Sequence, residues 1–332
     1  MKVLIIGGTG NISLEVVKQS RRRGWEVFVL NRGNSPEPEG TRPIHADIRD
    51  RDAATRALRG HSWDAVAQFV AFEPAHVEID LELFRGKTRQ YLFTSSASVY
   101  HKPLHHWPIT EATPAFNPFW DYAMKKIACE QRLARAYAED GFPMTIVRPS
   151  HTYSEGWFPS SFGSRDFTVA ARMLAGKEIV VHGDGETPWT LTHSTDFAIG
   201  FAGLMGNRGA IGETFHITSD FVYTWNEIHR SIGEALGVEP KLVHVPSEII
   251  ARVVPSRGPS LLGDKVHCLV FDNSKIKRLV PDFSARIPFH EGARMSAAWY
   301  EAHPEKKVID AAIDNEVEAV LTAWHSMVAR LG

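Results

Sequence analysis

The sequence is poor in cysteine. Cys129 and Cys268 are the only two in 332 residues, and they do not form a C-x-x-C pair. That excludes a disulfide framework or a zinc ribbon and leaves two reduced, buried thiols as the expectation. There is also no apolar run near the ~20 residues that a membrane-spanning helix needs. The opening Met1-Lys2-Val3-Leu4-Ile5-Ile6-Gly7 is too short for the core of a signal peptide and stops at glycine, so a cytoplasmic protein with no membrane partner is expected. An excess of one charge is missing as well: a net charge of −2 offers no basic face for nucleic acid and no acidic tail. Histidine is plentiful at 16, but His101, His105, His106, His151 and His193 fall in no metal-ligand spacing, and no metal is expected. Internal repeats and low-complexity tracts are lacking.

What is present is ordinary globular material, 43% hydrophobic and 23% charged, in a chain long enough for one large lobe and a smaller one. Residues 3–6 form an unbroken apolar run that ends in glycine, the pattern of a buried parallel strand. A helical stretch through Val16, Val17 and Gln19 reaches Arg23, Gly24 ends it, and residues 25–30 read as a second strand, completing a βαβ unit. Further strands are expected at 65–71, 90–94 and 144–147, with a helix at 118–138. Parallel strands need helices on both faces, so the fold class is α/β, a Rossmann-type doubly wound parallel sheet with a smaller, mixed C-terminal substrate lobe. The expected division is a dinucleotide-binding domain over 1–165, with segments near 190–225 returning to it, and a substrate lobe over 166–332. Residues 152–166 and 255–263, rich in Gly, Pro and Ser, read as loops of that lobe. Ile309, Ile313, Val317, Val320 and Leu321 give 309–331 a helical period that packs against it.

Gly7-Gly8-Thr9-Gly10-Asn11-Ile12-Ser13 sits where the first strand turns into the first helix. Glycines there allow a tight turn and close approach to a pyrophosphate, and the helix N-terminus supplies free N–H groups, so Gly7, Gly10, Asn11 and Ile12 are expected at a dinucleotide. The last small position is Ser13 rather than glycine. The second strand ends in Asn31-Arg32, where an NAD site usually has a carboxylate for the ribose 2′-hydroxyl; a guanidinium suits a 2′-phosphate, which favours NADP over NAD. Arg32 as a solvated loop residue is the competing reading.

Tyr122 and Lys126 stand four residues apart, on one face of the expected helix. A free phenol, with a pKa near ~10, is a poor base, and a neighbouring ammonium is expected to lower it so that Tyr122 exchanges the proton of a substrate hydroxyl while hydride moves at the same carbon. One βα step earlier, Thr94-Ser95-Ser96-Ala97-Ser98-Val99-Tyr100 lines the carboxyl edge of the sheet, where a serine can hydrogen-bond the same oxygen. Capping or turn roles compete for Ser95 and Ser98.

These motifs, in this order, resemble the extended short-chain dehydrogenase/reductases, the group of nucleotide-sugar epimerases and dehydratases. Gly7-Gly8-Thr9-Gly10 is similar to their cofactor loop. The 94–100 run is similar to the epimerase S-S-S-A-T-V-Y run, with Ser96 at the catalytic position. Tyr122 and Lys126 match the family's Tyr/Lys pair, with Pro118 at the usual offset. By the same resemblance, His45-Ala46-Asp47-Ile48 touches adenine through Asp47, with Ile48 beside it. Val70-Ala71-Phe72 lies near the adenosine ribose, and Thr94, Pro149 and Ser150 lie near the nicotinamide half. His182-Gly183-Asp184-Gly185 and His193-Ser194-Thr195-Asp196 fit later family motifs. The resemblance implies a homodimer through paired helices, one of them bearing Tyr122.

Departures bear on the substrate. The acidic pair that family dehydratases carry after the catalytic hydroxyl residue is here Ala97 and Ser98, which argues against elimination of water. An arginine that follows the G-D-G motif in nucleotide-sugar enzymes is here Trp189, which weakens the case for a diphosphate. Arg257 and Lys265 could hold an anionic group or be solvated. Ser98, Tyr100, Trp120, His151, Trp157 and Trp189 are the expected substrate contacts, with Phe158 nearby; aromatic rings stack on sugar faces, though core packing explains them equally well. The expectation is an enzyme that interconverts a secondary alcohol and a ketone on a small sugar or sugar-nucleotide-like molecule. It runs either as a redox-neutral epimerase or as an NADPH-dependent reductase of a non-nucleotide ketone. A dinucleotide- or RNA-binding scaffold without chemistry is the remaining alternative, disfavoured by the presence of Ser96, Tyr122 and Lys126 together and by the net charge.

Overall fold

The computed structural model describes residues 1–163 and 165–331. β1 (Lys2–Ile6), α1 (Asn11–Arg22) and β2 (Glu26–Asn31) form the expected βαβ unit. β3 (Arg42–His45), α2 (Arg51–Ala57), β4 (Ala65–Gln68), α3 (Pro74–Phe84), β5 (Tyr91–Thr94), α4 (Asp121–Asp140) and β6 (Met144–Pro149) continue the alternation. Beyond β6 come β7 (His151–Tyr153), α5 (Thr168–Leu174), β8 (Glu178–His182), β9 (Pro188–Trp189) and β10 (Leu191–His193). Then α6 (Ser194–Leu204) and β11 (Thr214–Ile217) carry the chain back to the large sheet.

That sheet has seven strands in the order β3-β2-β1-β4-β5-β6-β11, every pair parallel. Side chains alternate across it. Leu4 and Ile6 of β1 face a core shared with Val66, Phe93 and α4 residues such as Leu133, whereas Val3 and Ile5 face Val16 and Val17 of α1 and Phe197 and Phe201 of α6. Burial on both faces is why β1 reads as an unbroken apolar run. β3 was invisible in the sequence: Arg42-Pro43-Ile44-His45 lies at the sheet edge with three of its four residues exposed, so it has neither an apolar run nor an alternation to read.

The smaller body is mixed. β12 (Tyr223–Thr224) pairs antiparallel with β9, and β13 (Lys241–Val245), after α7 (Trp225–Leu236), pairs parallel with β8. There follow α8 (Ser247–Val253), α9 (Gly258–Ser260), a single π-helical turn over Leu261–Lys265, α10 (Ser274–Leu279), α11 (Phe289–Ala302) and α12 (Ala311–Val328). Two expected loops are partly regular. Thr152 and Tyr153 belong to β7, which pairs with β10, and 255–263 is helical, with Pro255 and Pro259 in first turns where a missing N–H costs nothing. Position 164 of the first loop and position 332 lie outside the described residues. α12 packs Ile313, Val317, Val320 and Leu321 against Val180, Val245 and Ile250, but Ile309 precedes the helix and is 54% exposed. Among the described residues no helix is long and apolar enough to cross a membrane, and no group of three His, Cys, Asp or Glu side chains is placed to hold a metal ion.

The later sequence motifs hold this body together. The Asp196 carboxylate accepts the backbone N–H groups of Arg286 (3.0 Å) and Ile287 (2.9 Å), fixing the entry to α11. His193 accepts from the N–H of Thr195 and caps α6.

Under α3, Asp80 is buried, with Oδ2 accepting from Gln68 Nε2 and the Tyr91 hydroxyl, both at 2.7 Å, and Oδ1 unpartnered. Burial pushes its carboxyl up to about 7. The folded state then holds a proton that the unfolded chain releases near pH 4, so this group's contribution is full below pH 4 and is lost as pH rises to 7. Urea unfolding between pH 4 and 8 should show stability falling with pH by up to about 1.4 kcal/mol per unit from this group, and Asp80→Asn should remove that slope.

Candidate active site

The strand order reverses between β1 and β4, and the crevice over their carboxyl ends is where doubly wound folds bind ligands. Gly7 has φ +101°, and a Cβ there would sit 2.7 Å from Val70 Cγ1; one on Gly8 would sit 2.5 Å from Val29 Cγ1. Any side chain at either position would displace the walls. α1 begins beneath this loop with no acidic residue in its first turn and no side chain over its end, so its N–H groups and positive dipole face the crevice. The Ser13 hydroxyl, at the position expected to be glycine, accepts the Gly10 N–H at 2.9 Å. The departure is therefore accommodated by a small, buried side chain that braces the loop.

Two cavities flank the loop, of about 320 and 370 Å³. The first is bounded by Gly7, Thr9, Gly10, Asn31, Arg32, Asp47, Ile48, Val70 and Phe72, all within motifs the sequence pointed to, and also by Asn34, Ser35 and Arg49, which sequence reasoning did not single out. Asn31 is braced: Oδ1 accepts the Gly33 N–H at 2.7 Å and Nδ2 donates to Glu37 at 3.2 Å. Asp47 is gripped by Arg49 at 2.9 and 2.7 Å, and that hydrogen bonding holds its carboxyl down at about 2. Arg32 forms no ion pair among the described residues, so the cavity keeps an uncommitted guanidinium.

The second cavity is bounded by Asn11, Ile12, Thr94, Ser96, Tyr122, Lys126, Pro149 and Ser150. Asn11 donates to the Thr152 carbonyl at 2.9 Å and leaves Oδ1 buried without a partner; Thr94 Oγ1 is likewise unpartnered. An uncapped helix end, orphaned polar atoms and glycines with no room for Cβ fit a dinucleotide. Lys126 is 1% exposed and donates to the carbonyls of Ala71 and Thr94, both at 2.8 Å. Ala71 thus enters the site through its backbone, and one Lys126 N–H remains free for a ligand.

Ser96 Oγ accepts both the N–H (3.2 Å) and the hydroxyl (2.9 Å) of Ser98, which leaves its own proton to be donated into the cavity. Burial pushes the Tyr122 phenol up to about 12, Ser96 pulls it down, and Asp264 raises it. Lys126, expected to lower it, is not among these influences. The ammonium sits over the Tyr122 ring, 5.9 Å from its centroid, is spent on two carbonyls, and is itself brought down to about 8 by burial. Tyr122 therefore keeps its proton at neutral pH.

Tyr122 and Ser96 also open onto a third cavity of about 290 Å³, bounded by Ser98, Trp120, His151 and Trp157 from the expected substrate set and by Asp264 and Leu269 from the smaller body. Two members of that set are elsewhere. Tyr100 is fully buried, bonded to His216 at 2.9 Å, and Trp189 is fully buried against Trp225; both are core. Phe158 is core as well. Asp264 had no signal in the sequence, because only the π-turn and Asn117 bring it here: Asn117 Nδ2 donates to the Ser98 and Gly263 carbonyls, both at 2.7 Å.

A crevice built this way defines a dinucleotide-dependent enzyme of the Rossmann class. Residues 3–85 and 81–218 match the NAD dependent epimerase/dehydratase family, and the chain belongs to it. It is thus an enzyme of the extended short-chain dehydrogenase/reductase type. It is 29% identical over 288 residues to the 2′-dehydrokanamycin reductase of Streptomyces kanamyceticus, covering 86% of this chain and 81% of that one. It is 27% identical to the chloroplast stem-loop binding protein of 41 kDa b of Arabidopsis thaliana, covering 73% and 65%. The fold is that of the UDP-glucose 4-epimerase from Bifidobacterium longum solved with NAD+ and UDP, with a TM-score of 0.74 at 20% identity over 92% of this chain and 100% of that one.

Gly7→Ala should weaken NADPH binding at least tenfold, about 1.4 kcal/mol, in a fluorescence titration, while the far-ultraviolet circular dichroism stays that of the parent.

Proposed function

We propose that this enzyme reduces a ketone on a sugar-like substrate to a secondary alcohol, using NADPH, with Tyr122 as the proton donor. The observation that supports this best is the Tyr122 hydroxyl, its pKa raised by burial, standing with Ser96 where the dinucleotide crevice meets the third cavity. The nicotinamide, when bound, supplies hydride to the carbonyl carbon. Tyr122 gives its proton to the carbonyl oxygen, Ser96 donates a hydrogen bond to that oxygen, and Lys126, through its bonds to the Ala71 and Thr94 carbonyls, holds α4 and Tyr122 in place over the crevice. The reverse steps oxidise an alcohol.

The remaining residues have supporting parts. Gly7, Gly10, Asn11 and Ile12 take the pyrophosphate; Asp47 and Ile48 the adenine; Val70 and Ala71 its ribose; Thr94, Pro149 and Ser150 the nicotinamide half. Arg32, with Asn34 and Ser35 beside it, suits a 2′-phosphate, which is why NADPH is preferred over NADH. Trp189 lies in the core, and the third cavity has no arginine in its wall, so a nucleotide diphosphate has no bidentate partner there. The relative named as a reductase of 2′-dehydrokanamycin supports a keto sugar without a nucleotide. The 94–100 run, similar to that of epimerases, keeps a redox-neutral cycle as the second reading; it predicts dinucleotide retained through purification, whereas a reductase exchanges it each turn. A homodimer through α4 is part of the proposal, on family resemblance.

Tyr122→Phe should lower kcat by about 10²–10⁴-fold while NADPH affinity stays within twofold; full activity would refute the assignment. Arg32→Ser should weaken NADPH roughly tenfold or more and leave NADH unchanged in the same titration.

A further inference from the structure

The third cavity carries an asymmetry of charge that points to its ligand. Among the described residues its wall has one side chain with a formal charge, Asp264, which shares the wall with Trp120, Trp157 and the imidazole of His151. Burial brings His151 down to about 3, so that ring is neutral. Three polar atoms of this wall are buried without partners: Asp264 Oδ1, His151 Nε2 and Trp157 Nε1. A buried carboxylate oxygen with no donor is destabilising, and sites keep such a cost where a ligand relieves it.

The surroundings of Asp264 do not relieve it. Lys102 and Lys265 lower its carboxyl pKa through space, yet neither forms an ion pair with it among the described residues, and Lys102 Nζ is itself buried and unpartnered. Burial is the larger influence and raises the carboxyl. Asp264 belongs to the π-turn over Leu261–Lys265, a geometry that recurs at functional sites. Gly263 beside it packs so tightly that an added Cβ would lie 3.0 Å from Trp120 Cβ, which holds the turn against the wall.

We infer that Asp264 selects the substrate, accepting hydrogen bonds from a protonated amine, so that the ligand of this cavity is an amino sugar rather than a neutral or phosphorylated one. This rests on the reading of the crevice as an alcohol–ketone site. A cationic group that enters beside the Trp120 indole and meets a carboxylate gains both the ion pair and cation–π attraction. A phosphate there would be repelled by Asp264 and would meet no lysine or arginine among the described residues that bound the cavity.

The test uses the protein loaded with NADP+ and three probes measured by calorimetry: kanamycin as an amino sugar, raffinose as a neutral sugar of similar size, and UDP-glucose as an anionic one. Kanamycin should bind at least tenfold more tightly than either of the others. Asp264→Asn should erase that preference, and Asp264→Ser should do the same if the amide variant folds poorly, with NADP+ affinity as the control for folding. Equal binding of kanamycin and raffinose, tighter binding of UDP-glucose, or an unchanged preference in both variants would overturn the inference while leaving the alcohol–ketone reading intact. Failure of the parent protein to bind either NADP+ or NADPH would instead overturn the reading beneath it.

Discussion

The site depends on a buried ammonium. Lys126 reaches from α4 to the carbonyl ends of β4 and β5 and binds the backbone at Ala71 and Thr94. Leaving such a charge unsatisfied in the interior would be costly, so these two bonds fix how α4 crosses the sheet edge. Tyr122, one helical turn earlier, is thereby set over the crevice. Phe72 and Phe93 close over the same ammonium at 4.7 and 4.8 Å from their centroids, so its environment is aromatic and dry.

From that fixed point the electrostatics divide the crevice. On the dinucleotide side the field is positive: an uncapped helix N-terminus, Arg32 without an ion pair among the described residues, and Lys126 with one free donor. On the far side the wall is aromatic, with one carboxylate. Tyr122 stands on the boundary; burial is what chiefly raises its phenol, and Asp264 adds to that from across the boundary. The smaller body thus does more than shape a cavity; through Asn117 and the π-turn it brings a charge within reach of the proposed acid.

The motifs of the first half were legible because their chemistry is local. A glycine turn between strand and helix, or a Tyr/Lys pair one turn apart, is written within a few residues and survives any tertiary arrangement. β3 was not legible because an edge strand open to solvent keeps no apolar pattern. The short helices at 255–263 were hidden by prolines and glycines that read equally as loop and as first turn. Tyr100 and Trp189 were expected at the ligand because aromatic residues near a site look alike in sequence whether they face a cavity or a core. Their burial against His216 and Trp225 decides it.

The sequence by itself determined the α/β class, the glycine loop and the Tyr122–Lys126 spacing, since strand burial, turn conformation and helix periodicity are all fixed by near neighbours. Only the tertiary structure decided the protonation of Tyr122 and the identity of the cavity wall. A pKa follows from burial and from charges far away along the chain. Asp264 lies 142 residues beyond Tyr122 in the sequence yet raises its pKa in the fold. No local pattern encodes that approach; it exists because the π-turn packs on Trp120 and Asn117 binds both lobes.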